Sequence, residues 1–163
     1  MYNSHMFYSI ETIAQVCTDL HSKGKIIVLA TGFFDLLHGE HVAFLKKAKS
    51  RGDALIVAVE SDGRARKIKG EGRPVESQVE RCQKVGEYAD YVIALGDDFD
   101  NFEAYESLMK IIAPAIYAVS SHTNYQKNKA FLTEKYGGKL EIVHDWNPTV
   151  STTQIIQSSN NQL

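Results

Sequence analysis

Short, continuous apolar runs alternate with amphipathic segments of helical period along nearly the whole chain, and few folds accept that pattern. The runs at residues 26–31, 54–60, 91–95, 115–119 and 140–143 are rich in Val, Ile, Leu or Tyr. They lack the polar alternation of a strand with one wet face, so each is expected to be covered on both faces, as in a parallel sheet. Between them the period changes. Ile10, Ile13, Val16, Cys17 and Leu20 share one helical face behind Ser9, a residue suited to the N-cap. Val42, Leu45 and Ala48 repeat the spacing, as do Val79, Cys82 and Val85, and then Phe102, Tyr105, Leu108 and Ile112. Ala130, Phe131 and Tyr136 mark a further helix, stopped by Gly137-Gly138.

Strand and helix alternating at this pitch predict an α/β, Rossmann-like, doubly wound sheet of five mostly parallel strands with helices on both faces. At 163 residues the chain suits one domain with a proper core. Residues 1–8, and 1–6 above all, read as a flexible leader. Net charge is -2, which gives no overall pull toward DNA or an anionic membrane, so any bound anion must be held by local arrangement. No apolar run approaches the ~20 residues that span a bilayer, and the expected location is the cytoplasm. Cys17 and Cys82 fall on the apolar helix faces and are expected as buried, reduced thiols.

In such sheets a ligand sits beyond the carboxyl ends of the strands, at the point where the winding reverses. The loops to inspect are those after Thr31, Glu60, Leu95 and Val119. The first reads Thr31-Gly32-Phe33-Phe34-Asp35-Leu36-Leu37-His38-Gly39-Glu40-His41. Glycine after the strand allows a tight turn and close approach of a ligand. A helix starting near Gly39 would aim its free N–H groups at the crevice, a ready anion site. His38 and His41 lie three apart, on one side of that first turn. Two imidazoles with helix N–H groups suit phosphate oxygens, whereas a zinc site here lacks the partner ligands such sites use.

Between residues 64 and 73 the second loop carries Arg64, Arg66, Lys67, Lys69 and Arg73 against the single acid Glu71, and glycines stand at 63, 70 and 72. It reads as a mobile cationic flap able to cover a triphosphate. A basic module for RNA is the weaker reading, since residues 64–73 hold no aromatic on which bases could stack. A P-loop and a dinucleotide fingerprint are both absent. Near the C-terminus, Ser151-Thr152-Thr153 precede Ile155-Ile156, placing hydroxyls at a helix start, where they cap it or bond a phosphate.

Together these segments resemble the cytidylyltransferase-like nucleotidyltransferases, which carry G-x-F-D-x-x-H-x-G-H after the first strand and a Ser/Thr motif near the C-terminus. The nearest likeness is the adenylyltransferase domain of heptose 1-phosphate metabolism, through Lys69-Gly70-Glu71-Gly72-Arg73-Pro74-Val75, Arg81 and Ser151-Thr152-Thr153. The resemblance implies that His38, His41 and Lys69 are catalytic. It implies nucleotide contacts from Thr31, Gly32, Phe33, Asp35, Arg81, Ser151, Thr152 and Thr153, with Asp35 ordering the signature loop and Arg81 anchoring the nucleotide. It further implies Mg²⁺ carried with a nucleoside triphosphate, a small phosphorylated acceptor such as a sugar or polyol phosphate, and a homodimer. No nucleic acid or membrane partner is expected.

Two departures stand out. Glu40 occupies the glycine between the histidines, where a carboxylate would repel phosphate; on that ground the alternative is a weakened, nucleotide-binding regulatory homologue. After the fourth strand, Ser120-Ser121-His122-Thr123-Asn124-Tyr125 replaces the family's Gly-Asp run, which bears on specificity.

Overall fold

The structure, a computed structural model, describes residues 7–160. In chain order the elements are α1 Ile10–Ser22, β1 Ile27–Gly32, α2 Gly39–Lys49, β2 Ala54–Val59, α3 Asp62–Lys69 and α4 Gln78–Val85. Then follow β3 Tyr91–Ala94, α5 Phe102–Ile112, β4 Ile116–Ser120, α6 Gln126–Lys135, β5 Lys139–His144 and α7 Thr152–Asn160. The five strands form one sheet in the order β3-β2-β1-β4-β5, and every pairing is parallel. Each expected strand is present, its ends displaced by no more than one residue. The winding runs outward from β1 through β2 to β3, then crosses to β4 and β5, so the reversal lies between β1 and β4.

The continuous apolar runs have a direct cause in this layering. Along β1, Ile27 and Leu29 enter one core with Ile13, Cys17, Leu108, Met109, Ile112 and Leu132. Val28 and Ala30 enter the other core with Phe44, Leu45, Ala48, Cys82 and Val85. Alternate residues thus face α1, α5 and α6 on one side and α2 and α4 on the other. Each fully buried Val, Leu or Ile contributes roughly 1.5–3 kcal/mol. Both cysteines are buried and unpaired.

Several expectations are corrected. Residues 61–74 do not form a mobile loop throughout: Ser61 caps α3, its hydroxyl accepting from the Arg64 N–H, and Lys67 and Lys69 lie in the last turn, where cations suit the helix dipole. The helix ends at Lys69, and Gly70 and Gly72 follow with left-handed φ values of 92° and 79°. Val79, Phe102 and Phe131 lie on exposed faces of their helices, while Leu132, not Phe131, fills the core. Residues 1–6 of the expected leader lie outside the described residues. Tyr8, at its other end, is fixed on the sheet edge, donating from its backbone N–H to the Val92 carbonyl at 2.9 Å and packing edge-on to Tyr91.

Candidate active site

The site begins where β1 meets β4. Gly32 turns the chain so tightly that a Cβ there would sit 3.1 Å from the Phe34 ring. Phe34 and Leu36 then take left-handed φ values of 53° and 49°, uncommon for residues of their size and held by their surroundings. Phe34 is buried between Phe44, its ring stacked at 6.4 Å, and His41 at 5.6 Å.

Asp35 fastens this loop. Its carboxylate accepts from the backbone N–H groups of Val75 and Glu76 and from Arg73 Nε, all at 3.0–3.1 Å. Its own carbonyl accepts from the Thr152 hydroxyl at 2.8 Å. One residue thus joins the β1 loop, the segment after α3 and the start of α7. Burial pushes the Asp35 carboxyl up, but the Glu76 and Val75 N–H groups and the Arg73 guanidinium outweigh it and hold it below the usual range.

Arg81 is the second fastening, and its place differs from the expected nucleotide contact. It has no exposed surface. Its guanidinium donates to the carbonyls of Glu76, Phe33 and Glu60 and to Asp62 Oδ1 at 2.5–3.1 Å. With its donors turned into the protein, it shapes the β1 and β2 loops from behind.

The imidazoles are treated differently. His38 is the N-cap of α2 but makes no capping bond. The His38 and His41 rings stack with centroids 3.9 Å apart and planes 26° apart. His38 Nδ1, His38 Nε2 and His41 Nδ1 are shielded from solvent yet have no hydrogen-bond partner. Burial first, then the charges of His38 and Lys69, push His41 down to about 3. Burial also lowers His38, against the opposing pull of Glu40. Both rings are therefore neutral at pH 7, each with one N–H to donate. Leaving such polar atoms unpaired costs about 1–3 kcal/mol apiece, which favours any ligand that satisfies them.

Lys69, at the end of α3, brings its ammonium 5.2 Å from the Phe33 ring centroid. Burial of that end, then the Arg73 charge, lowers its pKa. Arg73 itself is set apart by the structure, whereas the sequence marks it only as one cation of five. Its Nη2 is buried without a partner, and Nη1 stands 3.5 Å from the Thr153 hydroxyl. Ser151 caps the first turn of α7, its hydroxyl accepting from the Gln154 N–H. Thr31 shares a 2.6 Å hydroxyl bond with Tyr117. A pocket at the ends of β1 and β4 is lined by Thr31, Gly32, Phe33, His41, Ser120 and Trp146 among others, while Lys69, Arg73, Ser151 and Thr153 lie outside its lining. Trp146 carries no signal in the sequence, yet its ring lies 5.8 and 5.9 Å from those of His38 and His41. Glu40 turns out of the pocket: its carboxylate accepts from His144 and from the Asn147 N–H, bonds that lower its pKa. With its carboxylate engaged there, Glu40 gives no support to the alternative of a weakened homologue.

A strand-end crevice at the winding reversal, beside a helix start with no capping side chain, is the arrangement of the Rossmann-like class. The cytidylyltransferase-like family model matches residues 29–158, and the chain belongs to that family, a family of nucleotidyltransferases. The bifunctional protein HldE of a Nitratiruptor species is 43% identical over 149 residues, 90% of this chain and 30% of that protein. HldE of Aliarcobacter butzleri is 34% identical over 161 residues, 96% of this chain and 32% of that protein. The chain thus spans about a third of the length of these relatives. Among solved structures, a lipopolysaccharide core biosynthesis protein from Thermoplasma volcanium superposes with a TM-score of 0.60 at 28% identity, covering 76% of this chain and 98% of that one. A pantoate-beta-alanine ligase from Francisella tularensis has the same TM-score at 13% identity, covering 95% of this chain and 77% of that one, and shares the fold. Among the described residues no helix is long and apolar enough to cross a membrane.

Proposed function

We propose that the chain moves AMP or CMP from a nucleoside triphosphate to a sugar or polyol phosphate, with adenylyl transfer to a heptose 1-phosphate-like sugar as the leading case. The observation that carries the reading is the stacked imidazole pair at an uncapped helix start, with three buried nitrogens lacking partners. The HldE relatives and the segment resemblance support the acceptor class.

In this reading an acceptor phosphate oxygen attacks the α-phosphorus in line. A new P–O bond forms, the bond to the bridging oxygen breaks, and pyrophosphate leaves with the electron pair. The protein's share is positioning and charge stabilisation. His38 and His41 donate to the α-phosphate oxygens as charge builds there, and Lys69 spans donor and acceptor phosphates. Arg73 Nη2 and the Thr153 hydroxyl stand ready at the start of α7. Mg²⁺ enters as part of the triphosphate substrate. Asp35, the acid of the signature loop, has its oxygens engaged by Val75, Glu76 and Arg73, and is not free to ligate it.

The test is pyrophosphate release with ATP and CTP against a panel of sugar and polyol phosphates. One nucleotide and one acceptor are expected to give turnover that His41→Ala removes. Equal release by the wild type and the variant would overturn the assignment.

A further inference from the structure

Glu40, the residue that breaks the signature, begins a chain of bonds that ends over the site. Its Oε2 accepts from His144 Nε2 at 2.8 Å. On the far side of that ring, Lys47 Nζ lies 3.0 Å from Nδ1. A lysine ammonium only donates, so Nδ1 is the acceptor and the ring proton sits on Nε2, aimed at Glu40. Cation, neutral imidazole and carboxylate form a chain of zero net charge, with His144 itself 8% exposed.

A break in the strand register brings His144 there. Val119 pairs with Ile142 but Ser120 pairs with His144, so Val143 is an extra residue in β5. Regular alternation would turn Val143 and His144 to opposite faces. Instead Val143 packs on the core that holds α2, and His144 bonds two α2 side chains. A bulge that re-aims one side chain is a common device beside functional sites.

The strand continues directly into residues 145–150, which lead to α7. Here the Asn147 N–H donates to Glu40 Oε2 at 3.2 Å and the Trp146 N–H to the Ser121 hydroxyl at 3.0 Å. Trp146, between those two anchors, lies against both imidazoles.

We propose that Glu40, through His144 and Asn147, is a positioning residue that latches the 145–150 strap to α2 and so holds Trp146 as a wall of the pocket over the imidazole pair. The role in nucleotide affinity rests on the function proposed above; the latch itself does not, and the two are tested separately. Trp146 is the chain's one tryptophan, so its emission reports the strap alone. In ligand-free protein, Glu40→Gly is expected to red-shift the emission and raise iodide quenching about twofold or more, with the helical circular dichroism unchanged. Glu40→Gln keeps an oxygen that can accept both bonds, and is expected to stay near wild type. With nucleotide, KM for the triphosphate is expected to rise roughly tenfold in Glu40→Gly, the scale of one lost hydrogen bond, while kcat changes far less. Wild-type emission and quenching in folded Glu40→Gly would overturn the latch. Should that variant not fold, His144→Phe takes its place, with the same exposure of Trp146 expected and an unchanged spectrum contradicting it. A wild-type protein that binds no triphosphate defeats the proposed function and leaves the ligand-free result to decide the latch.

Discussion

Asp35 in the β1 loop and His41 in the first turn of α2 stand six residues apart, and the protein satisfies one and leaves the other wanting. The Asp35 carboxylate, 2% exposed, has three donors from the segment after α3. Arg81 behind it commits its guanidinium to three carbonyls and a carboxylate. The imidazole pair is shielded just as firmly at three of its nitrogens, yet those nitrogens meet nothing. Helix starts divide in the same way. α4 has a complete capping box from Ser77 and Glu80, whereas α2 begins at His38 with no capping side chain. Full satisfaction marks residues that build the loop; shielded, unpaired donors mark residues kept for a ligand.

Replacing Arg81 by Met should test the first half of that contrast hardest. Removing one partner of a buried, bonded charge costs about 3–5 kcal/mol, so the urea midpoint is expected to fall steeply. A loss below about 1 kcal/mol would mean that the loop does not depend on it. His41→Ala probes the other half. Removing a preorganised donor to a developing oxyanion costs about 10²–10³ in turnover, while the melting temperature should hold or rise because an unsatisfied group is gone. A large drop in stability with turnover intact would reverse the two roles.

Acid titration gives a smaller effect with a definite sign. His41 is pushed down to about 3 from an ordinary 6.5, so the unfolded chain takes up its proton first as pH falls. Its contribution to stability is complete above pH 6.5 and is lost progressively toward pH 3. His41→Asn should therefore show a shallower decline in unfolding free energy between those limits, and identical slopes would contradict the burial of that ring. Least costly is Ser77→Ala, about 1 kcal/mol of stability with no change in turnover. A change in turnover there would blur the line between capped and uncapped helix starts.

The sheet was legible because apolar runs covered on both faces read differently from strands with one wet face. The histidine pair at the start of α2 was legible too, since glycine, two histidines and a helix start fall close together along the chain. What escaped depends on distance or on competing signals. α3 hides behind Gly63, Gly70, Gly72 and a run of cations, although Ser61 is an ordinary cap. Arg81 reads as a cation for a ligand, and only the fold shows three carbonyls converging on it. Glu40 reads as a repulsive charge because its partner His144 lies 104 residues away, and a bulge brings that partner to α2. Trp146, in a loop without periodicity, had nothing to announce it.

The claim beneath all of this is that a nucleoside triphosphate completes the bonds of the stacked rings. Nitrogen-15 histidine NMR of the whole chain, titrated with ATP and with CTP, tests it directly. The expected result is that one nucleotide moves the ring resonances of both His38 and His41 while exposed His21, at the end of α1, stays put. Saturable triphosphate binding that leaves both ring signals unmoved would contradict it.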